Sequence, residues 1–129
     1  MGDRYPRRVI VLIDSYSASG AEITARTLQR EGKAIVVGDR SGGAVMEATY
    51  RPHRVGGATR YVPYGVMITV ADLILPGGER LEGVGVTPDS LVLPTGADLR
   101  EQRDPQMALA LRLAGLEISA AAAGKIYVE

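Results

Sequence analysis

The chain has 129 residues, one domain's worth, and 46% of them are apolar, enough to build a core. Its 15 cations balance its 15 anions, which argues against a general nucleic-acid binder and against a polybasic membrane anchor, since both need a positive field. The absence of cysteine excludes disulfides and thiolate metal sites, the single histidine, His53, excludes a histidine-rich zinc site, and the longest apolar runs are far too short to cross a bilayer. No cofactor or metal is expected, and Met1-Gly2-Asp3 leads straight into charged residues with no signal-peptide pattern.

Aromatic residues are only 5% of the chain, all of them tyrosine, so the core must come from Val, Ile, Leu and Ala. Residues 8–13 (RVIVLI) are a β-branched run of the kind buried on both faces of a parallel sheet. Residues 14–20 (DSYSASG) are small and polar and form a turn. From Gly20 to Glu31 the pattern is helical, with Ala21, Ala25 and Leu28 on one face and Gly32 as a stop. Residues 34–37 (AIVV) are a second buried strand, which completes a βαβ unit.

GDRSGG at 38–43 is a glycine-rich loop. Alternating stretches at 44–50 and 59–75 follow as strands of a more open sheet, with RPHRVGGA at 51–58 as a loop or hairpin tip between them. PGGE at 76–79 is a tight turn, LEGVGVTPD at 81–89 is irregular, and LVLP at 91–94 is a short strand. Asp104-Pro105 starts a helix, with Asp as N-cap and Pro at the first helical position. The tail, 117–129, holds an alanine run and then KIYV as a last strand.

The candidate chemistry lies in the first turn. A buried strand, a tight turn of small residues and a helix place that turn at the carboxyl edge of a sheet, where α/β sites form. Ser15, Ser17 and Ser19 all lie there. A serine at such a corner presents its hydroxyl beside the unpaired first amides of the helix, which together with the helix dipole can stabilise an oxyanion. The strict Gly-x-Ser-x-Gly elbow is absent, because Ser17 and Ala21 flank Ser19 at two residues' distance. Spacing alone favours the other use of such serines, as helix caps and turn formers.

The whole segment VIVLIDSYSASGAEITARTLQREGKAIVVGDRSGGAV resembles the core of the C-terminal processing peptidases, also called tail-specific proteases. LEGVGVTPD, the short strand after it and RDPQMALAL are similar to that family's closing elements, so the resemblance runs from about residue 8 to residue 114. It implies an α/β fold, a ClpP/crotonase-like β-β-α superhelix of which this chain is a partial domain, beginning at the nucleophile strand and ending in the tail at 117–129. It implies a serine endopeptidase with Ser19 as nucleophile and the Gly20 N–H as one oxyanion donor. Glu22, three residues after Ser19, is then structural, its charge suiting the start of the helix.

The departure from the family is at the base. The lysine of the best-known branch would stand 25 residues beyond the serine, and that position is Ala44. Lys33 is fourteen residues along the helix from Ser19, about 20 Å at about 1.5 Å per residue, and nothing ties Lys125 to the turn. An engineered replacement would leave the neighbouring loop unchanged, yet the loop is GDRSGGAV rather than a Gly-Lys-Gly form, so a natural branch similar to tricorn-type peptidases is favoured. In that branch a histidine from an earlier segment is the base and a glutamate completes the site, and Glu82 matches that glutamate. His53, between Arg51 and Arg54, reads as a surface loop histidine, and would serve as a base only if that loop folded back to Ser19.

The expected partners are a protein or peptide substrate and the missing N-terminal half of the catalytic domain, with no nucleic acid and no membrane segment. Exposed strand edges should favour a homo-oligomer by dimerisation, swapping or edge pairing. The family's bacterial members imply a periplasmic or cell-envelope location. The alternative reading is a catalytically dead relative that holds extended peptides.

Overall fold

The structure, a computed structural model, describes residues 9–126. It is a mixed α/β arrangement centred on a parallel three-stranded sheet. Strand β1 (Val9–Ile13) pairs in parallel with β2 (Ala34–Gly38), which pairs in parallel with the short β7 (Ser90–Leu91). Helix α1 (Gly20–Arg30) makes the crossover from β1 to β2, as the βαβ pattern predicts. Its end follows from Gly32, whose φ of 63° lets the chain turn back. There the Lys33 N–H reaches the Leu28 carbonyl at 2.9 Å and the Gly32 N–H reaches Gln29 at 3.0 Å, closing a Schellman motif.

The core is aliphatic. Ile13, Ala25, Val36, Val45, Leu81 and Val86 form one buried cluster, with Val11, Ile23 and Leu75 packed at its edge. Full burial of a valine such as Val36 contributes about 1.5–3 kcal/mol. Side chains alternate along a strand, so Val37, equally buried, turns to the other face of the sheet. Helix α3 (Pro105–Leu113) packs against β1 and β2, and its Ala110 is buried. Asp104 caps α3 by accepting from the Met107 N–H at 2.8 Å, in accord with the Asp-Pro reading.

Asp89 ties the sheet to the end of α1. One of its carboxylate oxygens accepts from the Val36 N–H at 2.8 Å and the other from the Gln29 amide at 2.9 Å. Two short helices were not foreseen. In α2 (Gly96–Arg100), Thr95 and Asp98 form a capping box. In α4 (Ala120–Ala123), Ser119 caps the alanine run, and Ala123 is buried where α4 packs on α3. Lys125 and Ile126 lie in a turn, and the remainder of the expected last strand, like Arg8 of the first, falls outside the described residues.

The region between the two glycine-rich loops differs from the sequence reading. Residues 51–56 are strand rather than loop: β3 (Glu47–Gly56) and β4 (Tyr61–Ala71) form one long antiparallel hairpin whose tip is only 57–60. Prolines at 52 and 63 and the Gly-Gly pair hid this strand pattern. Beyond it, β5 (Ile74–Leu75) and β6 (Glu79–Arg80) make a small hairpin around the expected tight turn at 76–79. Arg26 and Arg30 of α1 both bind Glu79, at 2.8 and 3.0 Å, and fasten that hairpin to the helix.

Candidate active site

Three backbone segments converge at the carboxyl ends of β1 and β2: the turn 14–19, the loop 39–46 and the loop 81–89. Glycine permits their approach. A Cβ on Gly43 would lie 2.9 Å from the Gly85 nitrogen, and one on Gly85 would lie 2.4 Å from the Ser41 carbonyl oxygen; both have positive φ. The segments are laced together by the Gly42 N–H to the Ser17 carbonyl at 2.9 Å, Ser41 to Val86 at 3.1 Å and Gly83 to Gly43 at 2.8 Å.

The serines of the turn separate into two kinds. Ser17 Oγ accepts from the Asp14 N–H at 3.1 Å and donates to Asp14 Oδ1 at 3.0 Å, so it is a turn former. Ser19 occupies the N-cap position of α1 and forms a capping box with Glu22, whose side chain accepts from the Ser19 N–H. Its backbone has φ 57° and ψ −125°, a conformation that costs a non-glycine residue about 1–3 kcal/mol and persists only where the surroundings impose it. Here they do. The Ser19 N–H donates both to the Ala44 carbonyl at 2.8 Å and to Glu22 Oε2 at 3.1 Å. Ser19 is exposed, and the N–H of Gly20 beside it makes no hydrogen bond among the described residues.

Glu22 is fully buried. Its Oε1 accepts from Ser41 Oγ at 2.5 Å and from the Gly43 N–H at 2.7 Å, and its Oε2 from the N–H groups of Ala44 at 2.9 Å and Ser19 at 3.1 Å. Burial works against its charge, but the hydrogen bonds from Ser41, Ala44, Gly43 and Ser19 together outweigh burial and hold the carboxyl below its ordinary range. A carboxylate has about four acceptor positions, and all are in use. Glu22 is therefore a staple between turn and loop, with no lone pair left to take a proton.

Glu82 is half-buried, and its Oε2 accepts from the Val45 N–H at 2.8 Å. Its Oε1 has no hydrogen-bond partner among the described residues. Through Val45 it lies one residue from Ala44, whose carbonyl holds Ser19. Ser19, Gly20, Ala44 and Glu22 are thus joined directly, and Glu82 joins them through the 44–45 backbone. His53 is elsewhere: it is exposed on β3 and stacks on Tyr64 with ring centres 5.4 Å apart.

Sequence reasoning missed Ser41. It is the pivot of the loop, donating to Glu22 and accepting from the Val86 N–H at 2.6 Å. The available signal was a lone small hydroxyl inside a run of glycines, where a larger side chain would not fit. No group of three or more His, Cys, Asp or Glu side chains among the described residues is arranged to hold a metal, and no helix of the described residues is long and apolar enough to cross a membrane.

Residues 2–92 match the family model described as peptidase family S41. The carboxy-terminal-processing protease of Bartonella bacilliformis is 37% identical over 84 residues, covering 65% of this chain and 18% of that protein. The chloroplastic carboxyl-terminal-processing peptidase 1 of Arabidopsis thaliana is 29% identical over 94 residues, 73% of this chain and 18% of that protein. A crystal structure from Parabacteroides merdae superposes with a TM-score of 0.62 at 25% identity, over 86% of this chain and 33% of that one. The chain spans 18% of the length of each of these curated relatives.

Proposed function

The chain belongs to peptidase family S41, and on that premise we propose that it is part of a serine endopeptidase domain that cleaves protein or peptide substrates through an acyl-enzyme on Ser19. The observation that carries this reading is the state of Ser19: exposed, and held at φ 57° at the head of α1. A serine kept in that strained conformation is accounted for by presentation of its oxygen to a substrate.

In the proposed reaction Ser19 Oγ attacks the scissile carbonyl carbon as its proton passes to a base. The free Gly20 N–H, aided by the positive end of α1, faces the oxygen that becomes negative. The base then protonates the leaving amine, and water hydrolyses the ester. Loss of a single oxyanion donor costs roughly 10²–10³ in rate, which measures what Gly20 is asked to supply. The unengaged Oε1 of Glu82 is suited to orient and stabilise a cationic base.

The base itself is proposed to come from an upstream part of the catalytic domain, which would also complete the ClpP/crotonase-like superhelix. Ala44 offers no proton acceptor, and Lys33 sits beyond the far end of α1, bound to Glu31. The isolated chain should then be nearly inactive. A periplasmic or cell-envelope location is proposed with it, in keeping with the bacterial and chloroplastic relatives.

One observation favours a second reading. Alanine at position 44, where the lysine branch keeps its base, would also suit a silent module that only holds extended peptides. Labelling with a serine-directed fluorophosphonate, in a form of the protein that includes the upstream segment, separates the two. Labelling that disappears in Ser19→Ala supports the peptidase. Labelling indifferent to that change, or none at all, overturns it, and the second case leaves the binding module.

A further inference from the structure

We infer that Ser41 is a positioning residue for the proposed reaction: its hydroxyl sets the Ser19 corner and the loop that carries Glu82 in one fixed relation. The inference rests on Ser19 as nucleophile and adds to it a residue that never meets the substrate. Ser41 makes no hydrogen bond to Ser19 or to Glu82. It acts through two others, Glu22 and Val86.

Every bond that fixes the Ser19 N–H returns to Glu22. That N–H is held by Glu22 Oε2 at 3.1 Å and by the Ala44 carbonyl at 2.8 Å. Ala44 is itself held by Oε2, through its own N–H at 2.9 Å, and the neighbouring Gly43 N–H by Oε1 at 2.7 Å. No cation pairs with this buried carboxylate among the described residues, so hydrogen bonds alone hold it. Three of its four donors are backbone groups. The fourth, and the nearest, is the Ser41 hydroxyl, 2.5 Å from Oε1.

The partners of Ser41 fix where its proton lies. A serine hydroxyl has one proton to give. The Val86 N–H, at 2.6 Å, can only donate, so it takes a lone pair of Oγ. The carboxylate can only accept, so the O–H points to Oε1. Amide, hydroxyl and carboxylate thus form one aligned chain in which each bond strengthens the next. The Ser41 N–H also reaches the Val86 carbonyl at 3.1 Å, so residues 41 and 86 are clasped at two points. The clasped loop carries Glu82, whose Oε2 holds the Val45 N–H at 2.8 Å. Ser41 is buried, and without its hydroxyl both Glu22 and the Val86 N–H lack a partner, freeing the corner to shift against Glu82. A misplacement of about 1 Å at a reacting group costs on the order of 10²-fold in rate.

The test is the rate at which a fluorophosphonate labels Ser19, in the form of the protein that includes the upstream segment, with the maximal rate and the reagent's affinity measured separately. Ser41→Cys and Ser41→Thr both enlarge the side chain, but only threonine keeps the hydroxyl. The maximal rate should fall about tenfold or more in Ser41→Cys, with affinity within about twofold of native, and stay within about threefold in Ser41→Thr. Ser41→Ala, which removes the hydroxyl without adding bulk, should slow labelling as Ser41→Cys does. In nuclear magnetic resonance spectra of this chain, the Ser19 and Gly20 amide signals should move in Ser41→Cys and hold in Ser41→Thr, while those of α3 stay in place in both. An unchanged rate in Ser41→Cys and Ser41→Ala, equal slowing in Ser41→Thr, a loss confined to affinity, or unmoved Ser19 and Gly20 signals would each overturn the positioning role and leave Ser19 as nucleophile. Native protein that takes no label, or takes it in spite of Ser19→Ala, would instead remove the nucleophile and the positioning role with it.

Discussion

Ser41 and Glu22, nineteen residues apart, meet in the interior with Oγ 2.5 Å from Oε1, and the same hydroxyl accepts from the Val86 N–H at 2.6 Å. One serine thereby couples the first helix, the glycine-rich loop and the later loop. Glu22→Gln would turn an amide NH2 toward donors and should cost about 2–3 kcal/mol. Ser41→Ala strands the Val86 N–H and should cost about 1–3 kcal/mol. Because both residues serve one network, the double variant should lose clearly less than the two losses added together. Urea unfolding of the four proteins measures this; simple additivity would show that the contact carries no coupling.

The buried carboxylate also fixes the acid limit of the fold. Glu22 has its carboxyl held below the ordinary value of 4.5, so the unfolded chain binds a proton more readily than the folded one. Its contribution is complete above the unfolded value and is lost as pH falls through the lower, folded one. The difference in unfolding free energy between the native chain and Glu22→Gln should be flat from neutrality to about pH 5 and shrink below 4.5. A difference that grew on acidification would contradict the charged staple.

Much of the site could be read from residue order because it is local. The β1–α1–β2 unit, the corner at Ser19 and Gly20 and the Asp104 cap follow from apolar runs and short-range chemistry. Long-range and self-contained features could not be read in this way. The destination of Glu22 depends on a loop that returns about twenty residues later, so it looked like a charge suited to the start of a helix. Val45, which holds Glu82, is 37 residues away in the chain. The hairpin at 47–71 was broken on paper by its prolines, although the backbone bridges them in one register.

Glycine substitutions separate crowding from backbone strain. A Cβ at Gly85 meets the Ser41 carbonyl oxygen at 2.4 Å and must also adopt φ 74°, so Gly85→Ala should cost well over 2 kcal/mol. Gly83 has a similar φ of 68° with nothing within 4 Å, so Gly83→Ala should lose only about 1 kcal/mol. Gly20, in open space at the first position of α1, should accept alanine with little change or a small gain. Thermal unfolding of the three ranks them. Equal losses at 83 and 85 would mean that the loops do not meet as closely as described.

Strain at the corner can be released by removing the side chain that suffers it. Ser19→Gly relieves the φ 57° conformation, worth about 1–3 kcal/mol, against an entropic cost of glycine of roughly 0.5–1 kcal/mol. The variant should unfold at a higher temperature than the native chain. Ser19→Ala, which keeps the Cβ, should not. A Ser19→Gly chain less stable than Ser19→Ala would show that the conformation is not strained, and would remove the main structural reason for treating Ser19 as a presented nucleophile.

Position 44 offers a gain-of-function test. Ala44 is exposed, its N–H binds Glu22 at 2.9 Å and its carbonyl accepts from Ser19 at 2.8 Å, so any side chain there starts beside the nucleophile's own backbone. Ala44→Lys places an amine on a flexible four-carbon stem at that point. A positioned base contributes typically 10²–10⁴ in rate, and partial placement of this kind should recover at least tenfold in fluorophosphonate labelling of Ser19. Because the free amine is the active form, labelling should climb as pH rises toward the lysine range. The same change with Ser19→Ala must abolish the gain. An Ala44→Lys chain that melts normally yet labels no faster than its parent, at any pH, would show that this position does not address the Ser19 hydroxyl.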